Sequence, residues 1–168
     1  MCLLVISNWS EKLDLARRLD VSKRINGLID QARVARQPLA FLQGTKGVSF
    51  DGIGLRIGRY EPIFTASDFG GTLPSGLIDF IVGSATHEIQ LAGVASFNSF
   101  ERLLGVLHRS GYTTVISAKS VLFVDKLDED NVNGAFELPQ LIENDPFTEG
   151  LVVRSASMKN QSTRWPNA

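Results

Sequence analysis

Four consecutive apolar residues, Leu3-Leu4-Val5-Ile6, stop at Ser7-Asn8-Trp9-Ser10. A run without alternating polar positions has no side to offer solvent, so it suits a strand covered on both faces, as in a parallel sheet. That one feature asks for helices above and below.

The rest of the chain supplies them. Val21, Ile25, Leu28, Ile29 and Ala32 recur at helical spacing, with Asp20 or Ser22 placed to cap and Pro38 to stop the helix. Leu39 to Leu42 reads as a second strand, and Gly44 to Gly58 as a long glycine-rich loop with room for a helical turn. Tyr60 to Thr65 is a third strand. Phe69-Gly70-Gly71 then turns into a helix covering Leu73, Leu77, Ile78 and Ile81. Ile89 to Val94 is a fourth strand; Phe97, Phe100, Leu103, Leu104 and Leu107 line the next helix, which Gly111 ends. Thr113 to Ser117 is a fifth strand, a helix falls within Leu127 to Ile142, broken near Pro139, and Gly150 to Val153 is a sixth strand. Alternating strands and helices predict a three-layer α/β/α domain, a doubly wound and mostly parallel sheet in the order 3-2-1-4-5-6. Residues 1–154 form the single domain, and 155–168 a polar tail.

Composition excludes several function classes. With 17 basic and 18 acidic residues the net charge is −1, which gives no field for nucleic acid or anionic lipid. A single cysteine, Cys2, permits no intramolecular disulfide and no cysteine-based zinc site. The first apolar run is too short for a signal sequence and no stretch suits a membrane span, so the expected location is cytoplasmic.

In a doubly wound sheet, ligands sit beyond the carboxyl ends of the strands where strand order reverses. The loops to inspect are therefore Ser7 to Ser10 and Ala95-Ser96-Phe97-Asn98-Ser99, with Thr65 to Thr72 as a third wall. Trp9, Ser67, Asp68, Phe69, Ala95, Ser96 and Phe97 are the candidate ligand-lining residues. Ser99 stands near a helix N-terminus, where free N–H groups favour negative charge.

The residues at these places resemble a known family. Leu3-Leu4-Val5-Ile6-Ser7-Asn8-Trp9 is similar to the opening of the isochorismatase-like hydrolases, an apolar strand followed by Asp and then Met-Gln. Ile25-Asn26-Gly27-Leu28-Ile29, Gln37-Pro38-Leu39-Ala40, Ser67-Asp68-Phe69 with Thr72-Leu73, Leu91 to Ser96, and Gly111 to Val115 follow in the family's order, over about residues 2 to 123. The resemblance implies an Asp base, a Lys and a nucleophilic Cys backed by an amide oxyanion hole. Such a triad works because a base takes the thiol proton while nearby positive charge lowers the thiol pKa. Here the Asp position is Ser7 and the Cys position Ser99; the Lys position falls in Ile63 to Thr65, which holds no lysine. Nicotinamidases of the family also hold a metal through histidines after the second strand, but His87 and His108 both lie elsewhere. No metal and no cofactor are expected.

The implied protein keeps the hydrolase fold without its chemistry, acting by binding a partner chain or a small ligand. The resemblance makes a homo-oligomer, or association with an active paralogue, the expected partnership. The competing reading is a working hydrolase with a rebuilt site, Ser99 beside Asp68 or a group from a neighbouring subunit. Blander roles are expected elsewhere: Cys2 as a small buried or terminal residue, His108 as a cation suiting a helix C-terminus, His87 as surface. Gly52-Ile53-Gly54-Leu55-Arg56-Ile57-Gly58 misses the dinucleotide fingerprint, whose third glycine would come one place earlier, and reads as a flexible connection. The acids between Asp125 and Asp130 read as a solvated turn rather than a calcium loop.

Overall fold

The computed structural model describes residues 1–9, 14–67, 69–124, 140–144 and 151–155. The opening run becomes β1 (Cys2–Asn8), followed by α1 (Leu15–Val34), β2 (Leu39–Gly44), α2 (Phe50–Ile53), β3 (Ile63–Ala66), α3 (Ser75–Gly83), β4 (Glu88–Ala95), α4 (Phe97–Arg109) and β5 (Thr113–Phe123). Two further strands, β6 (Gln140–Asn144) and β7 (Leu151–Ser155), complete a sheet ordered β3-β2-β1-β4-β5-β7-β6.

β1 pairs in parallel with β2 and β4, so it is central, and all its apolar side chains are buried. Leu4 and Ile6 face the α3 and α4 side with Leu77, Ile81, Phe100 and Leu104, while Leu3 and Val5 face the α1 and α2 side with Ile25, Ile29 and Phe50. The period-2 alternation of a strand thus feeds two cores, and the sandwich of layers follows.

The first five strands stand in the expected order. Beyond β5 the chain departs from a simple continuation: residues 151–155 do lie beside β5, but antiparallel, and β6 pairs antiparallel outside them. The helix expected within Leu127 to Ile142 falls mostly outside the described residues, and its last part, Gln140 to Ile142, is strand. β6 and β7 are antiparallel neighbours, a pairing that needs no crossover helix between them, so the helix–strand alternation used to read the sequence gives no signal for it. Ser155, placed at the start of the polar tail, is the last residue of β7 and pairs with Thr114 and Gln140; residues 156–168 and the acids between Asp125 and Asp130 lie outside the described residues.

Local boundaries moved for identifiable reasons. α1 starts at Leu15, because Asp14 accepts from Arg17 N at 3.0 Å; Asp20 and Ser22 are therefore not caps. Asp20 instead pairs with Arg24, and Ser22 donates to Leu19 O. The extra first turn escapes an amphipathic reading because Leu15 and Leu19 are exposed.

The glycine-rich segment is pinned rather than loose. Asn26 of α1 donates to Gly54 O and accepts from Arg56 N, at 3.0 and 2.9 Å. Arg33 grips Glu61 with two bonds of 2.7 and 2.9 Å and also donates to Arg56 O. Burial alone would raise the Glu61 carboxyl pKa, but Arg33 and the Gly58 N–H outweigh it and hold the group below the usual range.

His108 is a further departure. It occupies the last turn of α4, yet its ring is buried and Nε2 lies 2.9 Å from Thr114 Oγ1. Burial lowers its pKa, so it is neutral near pH 7, and the exposed Arg109 supplies the cation there. His87 is exposed, as expected. Because the unfolded chain protonates His108 first, stability should hold steady above an ordinary imidazole pKa of about 6.5 and fall as pH drops below it. The loss levels off once pH passes the lowered folded value. Urea midpoints measured on either side of this window should differ less for His108→Gln than for the parent chain.

Candidate functional site

At the carboxyl ends of the strands, β1 and β4 run level: Ser7 pairs with Val94 and Asn8 with Ala95. Gly93 makes that possible. Its φ is +140°, and a Cβ there would overlap the Ile6 backbone carbonyl, so no other residue fits without moving β1. Immediately beyond, Ser96 N donates to Asn8 O at 3.2 Å, which ties the entry of α4 to the end of β1. Ser7, one residue before the end of β1, and Ser99, in the first turn of α4 after β4, thus lie at the same end of neighbouring parallel strands.

Their side chains are occupied in different ways. The Ser7 hydroxyl, fully buried, donates to Val48 O at 2.7 Å and ties β1 to the β2–α2 loop. Ser96 caps α4: its Oγ accepts from Ser99 N at 3.2 Å and donates to Ser99 Oγ at 2.8 Å. Among the described residues, no carboxylate or imidazole hydrogen-bonds to Ser99. Asp68, the carboxylate considered as its partner, lies outside the described residues.

The aromatic candidates divide their surface among neighbours. Trp9 is 6% exposed within the α1–α2 core beside Val5, Val21 and Val94, and its Nε1 finds no acceptor among the described residues. Phe69 and Ala95 are buried in the opposite core. Half-buried Phe97 meets Phe123 edge-on at 5.4 Å, and Phe100 meets the same ring at 5.1 Å. Ser67 is exposed just past β3. The lysine-equivalent stretch is β3 itself, with Thr65 paired to Gln43.

Two contributors escaped the sequence reading. β5 continues to Phe123 across an irregularity opposite Leu91–Gly93, bringing Val121, Leu122 and Phe123 level with Gly93, Val94 and Ala95. The apolar Val121-Leu122-Phe123 run was the available signal. Lys46 sits in the turn after β2, whose neighbouring Thr45 N donates to Ala66 O at the end of β3. It places an exposed cation at the carboxyl end of the sheet, by a different strand from the family's lysine.

Cys2 starts β1, at the opposite end from this site. Burial pushes its thiol up to about 11, which leaves it without thiolate character. Among the described residues, no three His, Cys, Asp or Glu side chains gather to hold a metal ion. No helix there is long and apolar enough to cross a membrane.

The architecture has solved counterparts. A structure described as an isochorismatase family protein superposes with a TM-score of 0.59 at 20% identity, over 71% of this chain and 79% of its own. An isochorismatase family protein from Burkholderia thailandensis gives 0.55 at 13% identity, over 77% and 85%. No family model and no curated protein matches the sequence. The chain therefore has the isochorismatase-like α/β fold.

The Ser7 environment sets a clear expectation. Ser7→Ala forfeits one buried hydrogen bond, a loss of about 1 kcal/mol. Ser7→Asp should cost more, because a buried carboxylate would face the Val48 carbonyl oxygen in place of a donor. Denaturant midpoints for the two variants should fall in that order.

Proposed function

We propose that this chain is a non-catalytic protein of the isochorismatase-like fold, acting by binding a partner chain or a small ligand. The observation that carries this reading is the Ser7 hydroxyl donating to Val48 O at the position where the fold's hydrolases are expected to hold a base. A serine hydroxyl there cannot accept a proton at neutral pH, and its hydrogen is already committed. Ser99, equivalent in place to the nucleophile, accepts a hydrogen bond from Ser96, and among the described residues no base accepts its proton. Isochorismate, nicotinamide and simple amides should show no hydrolysis above the buffer rate, with the parent chain and Ser99→Ala indistinguishable. Turnover that disappears in Ser99→Ala would instead establish a rebuilt serine hydrolase.

The partner is a second copy of the chain, joined at the β3 side of the sheet. Among the described residues β3 is an edge strand with one side unpaired. Ile63 on it is 50% exposed, and Val82 on neighbouring α3 is 64% exposed. Apolar side chains beside an open strand edge are what an interface covers. Sedimentation should give an oligomer for the parent chain and a smaller species for Ile63→Lys combined with Val82→Glu. An unchanged mass would remove this interface.

A further inference from the structure

Among the described residues the sheet ends in two edge strands, β3 and β6. An open edge offers N–H and C=O groups to any other strand, and natural sheets blunt such edges with charge, proline or a bulge. β6 carries Glu143 within the strand. β3 is Ile63-Phe64-Thr65-Ala66, without a charge or a proline, and its register with β2 runs unbroken.

The backbone shows which groups this edge presents. Phe41 N donates to Pro62 O and Thr45 N to Ala66 O, each at 3.0 Å, so residues 62 and 66 turn their carbonyls toward β2. Strand residues alternate, so Phe64 also points its N–H and C=O at β2, while Ile63 and Thr65 point theirs outward. Pro62 faces inward and removes no donor from the open side. Just before the strand, Glu61 N is committed to Gly58 O at 3.1 Å.

Two such edges complement one another. In an antiparallel pair, facing residues with outward groups exchange both of their hydrogen bonds. A two-fold axis at Phe64 sets Ile63 of each copy opposite Thr65 of the other and uses every outward group of the strand. An axis at Ile63 would need the Glu61 N–H, which is already used, and one at Thr65 would need Ser67, which lies past the strand. Side chains favour the Phe64 axis as well. Phe64 would face its own copy in a non-hydrogen-bonded pair, the closer kind, on the side where the Phe80 ring already stands 6.2 Å away. On the other side exposed Ile63 would lie beside exposed Thr65, a pair of β-branched residues. We infer that two copies join through antiparallel β3 strands about an axis at Phe64, so that one sheet runs through the dimer. This rests on the proposal that the partner is a second copy at the β3 side, and it adds the register.

Disulfide cross-linking tests that register. Facing hydrogen-bonded residues have Cα atoms about 5.5 Å apart, within disulfide range, whereas diagonal neighbours lie roughly 7–8 Å apart, outside it. Ile63→Cys and Thr65→Cys, both at exposed positions, should therefore give covalent dimers when mixed, left to exchange subunits and oxidised. Neither should do so alone, since each residue is diagonal to its own copy. Cys2, fully buried at the start of β1, takes no part. Thr65→Pro removes an outward N–H and leaves the β2 ladder whole, so it should sediment as a monomer with an unchanged far-ultraviolet circular dichroism spectrum. If that variant does not fold, the cross-linking pattern decides alone. An oligomeric Thr65→Pro, single variants that cross-link as readily as the mixture, or a mixture without covalent dimers while the parent chain is oligomeric would overturn the register and leave the second-copy reading standing. A monomeric parent chain would overturn both.

Discussion

The backbone contact between β4 and β1 at Gly93 is the constraint on which the site depends. A side chain at 93 would collide with the Ile6 carbonyl, so the two strands can run level to Ser7–Val94 and Asn8–Ala95 only with glycine there. Everything beyond inherits that register. Ser96 can reach the Asn8 carbonyl, α4 begins one residue later, and Phe97 and Phe100 come down on Phe123. Fold and site are therefore not separable here: the same close approach that seals the centre of the sheet sets where the loops emerge.

Among the described residues, no carboxylate or imidazole at these strand ends hydrogen-bonds to Ser7 or Ser99. A nucleophilic hydroxyl needs a base within hydrogen-bond reach and donors aimed at the developing oxyanion. The α4 N-terminus offers N–H groups, but one of them, Ser99 N, already serves the Ser96 cap. The Ser7 hydroxyl supports the β2–α2 loop through Val48, and Trp9 O accepts from Val48 N at 3.0 Å. Ser7 near the end of β1 and Trp9 just beyond it thus clamp the same residue, Val48. That loop is held in turn from below by α2, capped by Ser49 and ended by Gly54 in the left-handed conformation.

Much of this was legible in the sequence, for physical reasons that also explain the misses. β1, β2 and β4 were readable because strands buried on both faces must be continuously apolar, and α4 because its apolar stripe is narrow and Gly111 marks its end. The positions of Ser7 and Ser99 followed from topology once the strand order was assumed. The first turn of α1 was not readable, since its leucines face outward and give no amphipathic signal. The Gly44 to Gly58 segment looked loose because glycine count says nothing about tertiary anchors. Asn26, Arg33 and Glu61, which immobilise it, are 28 or more residues from some of their partners. His108 misled in the same way: a helix-terminal position suggests a cation, but the neighbouring strand residue Thr114 buries the ring against it.

Backbone strain is distributed unequally between the two ends of the molecule. Where the chain nears the carboxyl ends, positive φ is carried by Gly93 and Gly54, for which it costs little. At the amino ends, α1 and α3 instead finish through Arg36 and Ala85, at +52° and +50°, while α4 finishes in the same way through Gly111. A left-handed conformation costs a residue with a Cβ about 1–2 kcal/mol. In Ala85 nothing in the structure offsets that cost. In Arg36 it sets a guanidinium beside an unsatisfied amide and an exposed aromatic ring, a combination that a glycine at this position could not make. Each end of the sheet also carries one buried donor without an acceptor among the described residues, Trp9 Nε1 at the carboxyl end and Gln37 Nε2 at the amino end, so the inequality between the two ends lies in the backbone.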